Sequence, residues 1–275
     1  MSQNRAWSLL ILSFAMLSGC NSSAKQLLEQ AEARWREGNY EDALHLNTLL
    51  YNRDHQGRYA AQALLNIGSI YYLNQRQIKK AIETYNKVVE EFPGRREEIT
   101  ARQQLAAIYA NEMQVRDLAQ VIEQYDKILE DYPDLENKSE VQYLRANAYF
   151  NMGEYESALR ELRRIEEVGM SGHVADQVYL KIGNIYQIQK KFDNAAEMFQ
   201  KVAEAACMDC RRRAILHLTE SYEALFQIDK AIETLHKLDR TPENEAWVSR
   251  EIARLTKKRQ SVGSATSLSW DWRHR

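Results

Sequence analysis

Residues 64–93 read LLNIGSIYYLNQRQIKKAIETYNKVVEEFP, and residues 179–199 read YLKIGNIYQIQKKFDNAAEMF. The two stretches share a skeleton. Leu64 or Tyr179 is followed by Ile67-Gly68 or Ile182-Gly183, then by Tyr71 or Tyr186; further on come Ala81 and Tyr85, or Ala195 and Phe199. Steps of three and four residues put each group on one helix face, and the gap between the groups separates two helices. Glycine inside a helix costs about 1 kcal/mol relative to alanine, so Gly68 and Gly183 imply a site where a second helix must come very close. Ala81 and Ala195 supply the matching small surface, while Tyr71, Tyr85, Tyr186 and Phe199 are expected to fill the space between neighbouring hairpins. Pro93 cannot continue a helix and ends the unit.

The same frame recurs outward in both directions. Six repeats begin near Ala24, Ala61, Ile99, Ser139, Asp176 and Arg212, spaced 36 to 40 residues apart. Repeat one carries Gly38-Asn39-Tyr40 and Ala43; repeat four carries Ala146, Tyr149, Gly153-Glu154-Tyr155 and Ala158. Repeat three is weakest in its first helix, with Ala106 in place of Gly and about three extra residues around Asn111 to Arg116. Repeat six has Thr219 there, yet Tyr222, Ala231, Leu235 and Pro242 keep the phase. A last helix over 243–260, apolar at Trp247, Ile252 and Leu255, suits a cap with one polar face.

These repeats resemble the tetratricopeptide (TPR) motif. The resemblance covers residues 24–260 and implies an all-α fold: a right-handed TPR solenoid of about six helix-turn-helix repeats (24–242) plus a C-terminal capping helix (243–260). Composition agrees with the helical part of that expectation. Ten Gly and three Pro in 275 residues are few, and 44% apolar residues supply ample core. A net charge of −2 gives no global pull on nucleic acid, and no nucleic-acid-binding signature occurs.

The amino terminus reads as a targeting segment. Arg5 precedes the apolar run Ala6 to Leu17, which is shorter than the roughly 20 residues that span a bilayer and suits a signal peptide over 1–19. Leu17-Ser18-Gly19-Cys20 resembles the bacterial lipobox, implying cleavage before Cys20, its lipidation, and a short tether over 20–23. Acyl chains contribute about 0.8 kcal/mol per buried CH2, enough for stable anchoring when several are present. Asn21 follows the Cys; by the resemblance to enterobacterial lipoproteins, the lack of Asp there favours the outer membrane, periplasmic side. Lipobox and TPR array together resemble the TPR lipoprotein of the outer-membrane β-barrel assembly machine, type IV pilus pilotins, and periplasmic coordinators of envelope growth.

No catalytic set stands out. His45, His55, His173, His217, His236 and His274 are scattered, with no phosphate loop or metalloprotease motif, so the chain is expected to be no enzyme, with no cofactor, no small-molecule substrate and no metal. Cys207-Met208-Asp209-Cys210 is the exception to a featureless chemistry. Haem attachment would need His where Arg211 stands. A local disulfide, a thiolate pair favoured by Arg211, Arg212 and Arg213, and zinc with His173 or His217 as further ligands remain open. The alternative function is thus a redox or metal-binding lipoprotein using Cys207 and Cys210.

In TPR proteins the first helix of each hairpin lines a partner-binding groove. Transferred place by place, the resemblance assigns Trp35, Tyr72, Asn111, Tyr143, Asn147, Phe150, Asn184 and Gln187 to it, with Asn147 and Asn184 at positions that bond a ligand backbone. The Lys of carboxylate-clamping repeats is replaced by Leu28, Leu65, Gln103, Tyr143, Leu180 and Leu216, which argues against that mode. The expected partners are proteins or peptides of the cell envelope, bound during its assembly by an apolar helix or extended segment. The tail 261–275 opens Ser/Thr/Gly-rich over Ser261 to Ser269, expected as a flexible linker, and then places Trp270 and Trp272 as a second candidate anchor.

Overall fold

The computed structural model describes residues 24–271, with side chains described through residue 261. The signal segment, Cys20 and Trp272 lie outside the described residues, as does the side chain of Trp270. Among the described residues all regular structure is helical. No helix there is long and apolar enough to cross a membrane.

The chain divides into two compact units, one ending at Leu135 and one beginning at Glu136. The first holds α1 (24–36), α2 (Tyr40–Arg53), α3 (Ala60–Ser69), α4 (Ile78–Glu91), α5 (Arg96–Asn111) and α6 (Leu118–Asp131). The second holds α7 (Lys138–Met152), α8 (Tyr155–Val168), α9 (Gly172–Ile188), α10 (Phe192–Gln200), α11 (Met208–Ala224), α12 (Ile228–His236) and α13 (Glu245–Asp271). Within each unit successive helices pack antiparallel as hairpins, and α3 continues into a single π-helical turn, Ile70–Asn74.

Gly68 and Gly183 meet their need for close approach inside their own hairpins. A Cβ on Gly68 would stand 2.7 Å from Tyr85 Cε1, and one on Gly183 would stand 2.5 Å from Phe199 Cε1. Tyr85 and Phe199 are completely buried; each seals its own hairpin against its glycine and also packs toward neighbouring hairpins, Phe199 by stacking on His217 of α11. Tyr186 does link hairpins: its hydroxyl accepts Arg163 Nη2 of α8 at 3.0 Å. The turns between paired helices use left-handed backbone at Gly38, Arg76, Gly153, Lys190 and Phe226. Repeat three departs from this, and Asp117 caps α6 there by accepting the Ala119 and Gln120 amides at 3.0 and 3.1 Å.

Two buried carboxylates are compensated. Glu98 accepts Arg102 Nε (2.8 Å), the Tyr132 hydroxyl (2.6 Å) and the Gly94 amide (2.8 Å). Burial alone would raise its pKa, and these three donors hold it below the ordinary value. In the second unit Glu161 receives Arg145 and Arg164. On α13 the fully buried residues are Val248 and Leu255, whereas Trp247 is 42% exposed, one step around from its expected inward place. Glu223 of α11 accepts Arg254 Nη1 at 2.8 Å and Lys258 Nζ at 2.7 Å, tying α13 down.

The expected linker after residue 260 is helical in backbone, for α13 continues to Asp271. The only glycine in this stretch is Gly263 and there is no Pro. A single Gly weakens a helix by about 1 kcal/mol but does not block it as Pro does.

Candidate functional site

In the first unit the residues assigned to the groove are spent on their neighbours. Trp35 donates its indole N–H to Asn74 Oδ1 at 3.0 Å. The Tyr72 hydroxyl donates to Glu112 Oε1 at 3.1 Å, and Arg76 donates to the same carboxylate at 3.2 Å. Burial, then the bond to Glu112, raises the Tyr72 pKa. Asn111 is exposed and folds its amide back onto the Ala107 carbonyl at 2.9 Å. The Trp35 and Tyr72 contacts hold neighbouring hairpins together and leave those two side chains little polar capacity for a ligand, while Asn111 bonds only within its own helix.

The second unit differs. Tyr143, Asn147 and Phe150 fall at i, i+4 and i+7 of α7 and share one face. Lys181 of α9 reaches this face: its Nζ donates to Asn147 Oδ1 at 2.7 Å and stands 4.4 Å from the Phe150 ring centroid. Burial, and secondarily the charge of Arg213 on α11, lowers the Lys181 pKa. Burial raises the pKa of Tyr143, opposed by the field of Arg213. Arg211 and Arg212 are paired with Asp239 and Asp209. Among the described residues neither Lys181 nor Arg213 has a carboxylate partner.

Asn184 lies on the same side of α9 as Lys181 and Gln187. Its side-chain oxygen is buried and receives no hydrogen bond, an unsatisfied acceptor sealed beneath this face. Gln187, by contrast, is spent: its Nε2 donates to the His217 carbonyl and to Ser221 Oγ, both at 3.0 Å, stitching α9 to α11. The amide of Gln187 is therefore structural. Two cations with no acid and two aromatic rings thus gather along α7, α9 and α11. Lys181 is partly withdrawn from water while Arg213 is exposed beside it, and an anion placed between them would stabilise both charges.

Sequence reasoning missed Lys181 and Arg213. No local signal marks them: they stand five and one residues after Asp176 and Arg212, in no common register, and in sequence Arg213 is only a neighbour of the cysteines. Cys207 and Cys210 are joined by a disulfide, and His173 approaches them while His217 stacks on Phe199 at 5.2 Å instead.

Residues 62–94, 139–168 and 176–206 match models of the tetratricopeptide repeat. This is a tetratricopeptide-repeat protein. Solved TPR structures resemble the chain in fold. A tetratricopeptide repeat protein from Parabacteroides merdae ATCC 43184 is 16% identical with a TM-score of 0.60, over 90% of this chain and 93% of that one. PilW, described as a widely conserved type IV pilus biogenesis factor, is 15% identical with a TM-score of 0.54, over 78% of this chain and 92% of its own. The MamA protein is 21% identical with a TM-score of 0.54, over 68% and 94%. At such identities the likeness is one of fold. No curated protein matches the sequence. The TPR architecture is one of protein–protein interaction, with the first helices presenting the binding face.

Proposed function

We propose that this TPR protein is a lipid-anchored periplasmic scaffold that holds envelope proteins during their assembly, such as β-barrel insertion or secretin and pilus assembly. Its working face is formed by α7, α9 and α11. The lipobox around Cys20 supports the anchoring, and the fold it shares with the pilus biogenesis factor PilW supports a place in such a machine. The observation that carries the binding face is Lys181, largely withdrawn from water beside Phe150, under the field of Arg213, and without an acid. A partner segment that sets a carboxylate against these cations and an apolar side chain against Tyr143 and Phe150 would satisfy both demands.

This reading changes the recognition mode expected from sequence. A carboxylate clamp was set aside because one position of each first helix lacks Lys. The second unit supplies the positive charge from two other positions, on α9 and α11. The test is a photo-reactive side chain placed at Tyr143 in living cells, compared with one at the exposed Arg160 of α8. A discrete adduct with an envelope protein at 143, absent at 160 and lost with Lys181→Glu, is expected. Adducts at 160 alone would overturn the assignment.

A further inference from the structure

Cys207, Cys210 and His173 converge at one end of α9 and α11, away from the aromatic face. Each offers one ligand atom, and the three atoms all lie within 4.8 Å of one another. Cys207 is the N-cap of α11, a helix of 17 residues, and its sulfur accepts the Cys210 amide at 3.2 Å. Cys210 sits in the first turn and is 3% exposed. His173, one residue into α9, is exposed, with Nδ1 3.5 Å from Cys210 Sγ. Two cysteines with two residues between them have the spacing of a zinc-binding pair, and a histidine from another helix is the usual kind of complement.

We propose that the reduced protein binds a zinc-class divalent ion through Cys207 Sγ, Cys210 Sγ and His173 Nδ1, and that the disulfide is the metal-free, oxidised state of this site. The geometry favours it. Zinc bonds of about 2.3 Å to sulfur and 2.0–2.1 Å to nitrogen, arranged tetrahedrally, put sulfur and nitrogen about 3.6 Å apart. Cys210 Sγ and His173 Nδ1 already have this separation, at 3.5 Å. The Cα atoms of the two cysteines are 5.2 Å apart, so opening the disulfide leaves both sulfurs beside the imidazole without any movement of the helices. Three protein ligands leave the fourth position for water or another donor.

The electrostatics favour thiolates here. The N-terminus of α11 carries partial positive charge, and the Cys210 N–H of its first turn points at Cys207 Sγ. Arg211 and Arg212, which follow Cys210 directly, are paired with Asp239 and Asp209, which offsets their repulsion of a cation. His173 Nε2 lies 2.8 Å from the Gln177 side-chain amide. With Nδ1 on a metal, Nε2 carries the proton and donates to the amide oxygen of Gln177 after a flip of that group, the outer support that metal-bound imidazoles commonly have.

The redox step balances as a two-electron exchange. A dithiol reductant delivers two electrons and two protons, the Cys207–Cys210 bond breaks to two thiols, and the reductant leaves as its own disulfide. The divalent ion then displaces both thiol protons and takes the two sulfurs and the imidazole nitrogen. Oxidation by a disulfide oxidant reverses the sequence and releases the ion.

The test uses the folded protein in its two redox states and Co2+ as a spectroscopic probe. After reduction and removal of the reductant, titration with Co2+ should give one equivalent of a tetrahedral complex with a thiolate-to-cobalt absorption band, displaced by Zn2+. The oxidised protein, with the same far-UV circular dichroism, should give none. His173→Ala should lower the Co2+ affinity by more than the ten- to hundredfold that loss of an outer support costs, and Cys210→Ser should abolish the thiolate band. A reduced protein whose thiols react freely yet bind no Co2+ would overturn the proposal. So would a band unchanged in intensity and affinity in His173→Ala, since the third ligand would then lie elsewhere.

Discussion

Gly183 faces the edge of the Phe199 ring so closely that a Cβ would meet three of its atoms at 2.5 to 2.8 Å. Phe199 is fully buried and cannot swing away. Alanine is intrinsically the better helix residue by about 1 kcal/mol, but overpacking a filled core costs about 1–3 kcal/mol. Gly183→Ala is therefore expected to lower the melting temperature. Phe199→Leu made alongside should recover part of the loss, and a double-mutant cycle reads the coupling. Strict additivity would mean that the two residues do not constrain each other.

The left-handed turn residues offer the opposite sign. Lys190 adopts φ +59° between α9 and α10, where Gly153 serves the equivalent turn between α7 and α8. A non-glycine residue pays about 1–2 kcal/mol for this backbone, and glycine gives part of that back through the freer unfolded chain. Lys190→Gly should thus raise stability by up to about 1 kcal/mol in denaturant titration. A loss would show that the Lys190 side chain contributes more than its backbone strain removes.

Glu223 ties α13 to α11, and its bonds to Arg254 and Lys258 hold its pKa at about 2 against the opposing effect of burial. The folded pKa lies below the unfolded value of about 4.3, so the stabilisation is complete above the unfolded value and is lost as pH falls toward 2. Arg254 is about half exposed, and after screening the pair contributes on the order of 1–2 kcal/mol. Glu223→Gln should destabilise the protein by that amount at neutral pH, with the effect fading as the pH falls from about 4.3 through 2 and gone below it. A penalty independent of pH would point to packing rather than charge.

The hairpin frame was legible because each requirement is local and periodic: Gly68 with Tyr85, Gly183 with Phe199, and a turn residue at a fixed offset. Binding residues were harder to read, since their meaning depends on what crosses from the next hairpin. Trp35 and Gln187 stand at the expected places but are consumed by Asn74 and Ser221. Lys181 and Arg213 gain their significance only from being far apart in sequence and facing a common surface. The helical backbone of 261–271 escaped notice because Ser and Thr mark loops only on average; with no Pro, the preceding helix propagates into them.

The Leu17-Ser18-Gly19-Cys20 motif makes a prediction outside the folded repeats. Mass spectrometry of the membrane fraction should find an amino terminus that begins at Cys20 and carries a diacylglyceryl thioether. Cys20→Ser should release the protein from the membrane. A mature chain starting elsewhere, or a serine variant retained with equal strength, contradicts lipid anchoring.

The groove assignment separates binding from stability. Tyr143 and Phe150 each keep part of their surface open on α7, whereas Tyr85 and Phe199 are sealed inside hairpins. Large aromatics at the middle of an interface carry about 2 kcal/mol or more each, roughly a thirtyfold change in affinity. Tyr143→Ala with Phe150→Ala should therefore abolish capture of the cross-linked partner while leaving helicity unchanged and lowering the melting temperature less than truncation of a sealed aromatic does, since both rings only partly pack on the core. Lys181→Met, which keeps the stem and removes the charge, should weaken capture of a partner segment bearing a carboxylate and leave capture of its amidated form unaffected. Truncation of Tyr85 would instead lower stability by about 3–5 kcal/mol through the cavity it leaves. Deletion of residues 261–275, which removes Trp270 and Trp272, is the comparison: if it ends capture while the double alanine variant binds normally, the working surface is the tail and not the face of α7, α9 and α11.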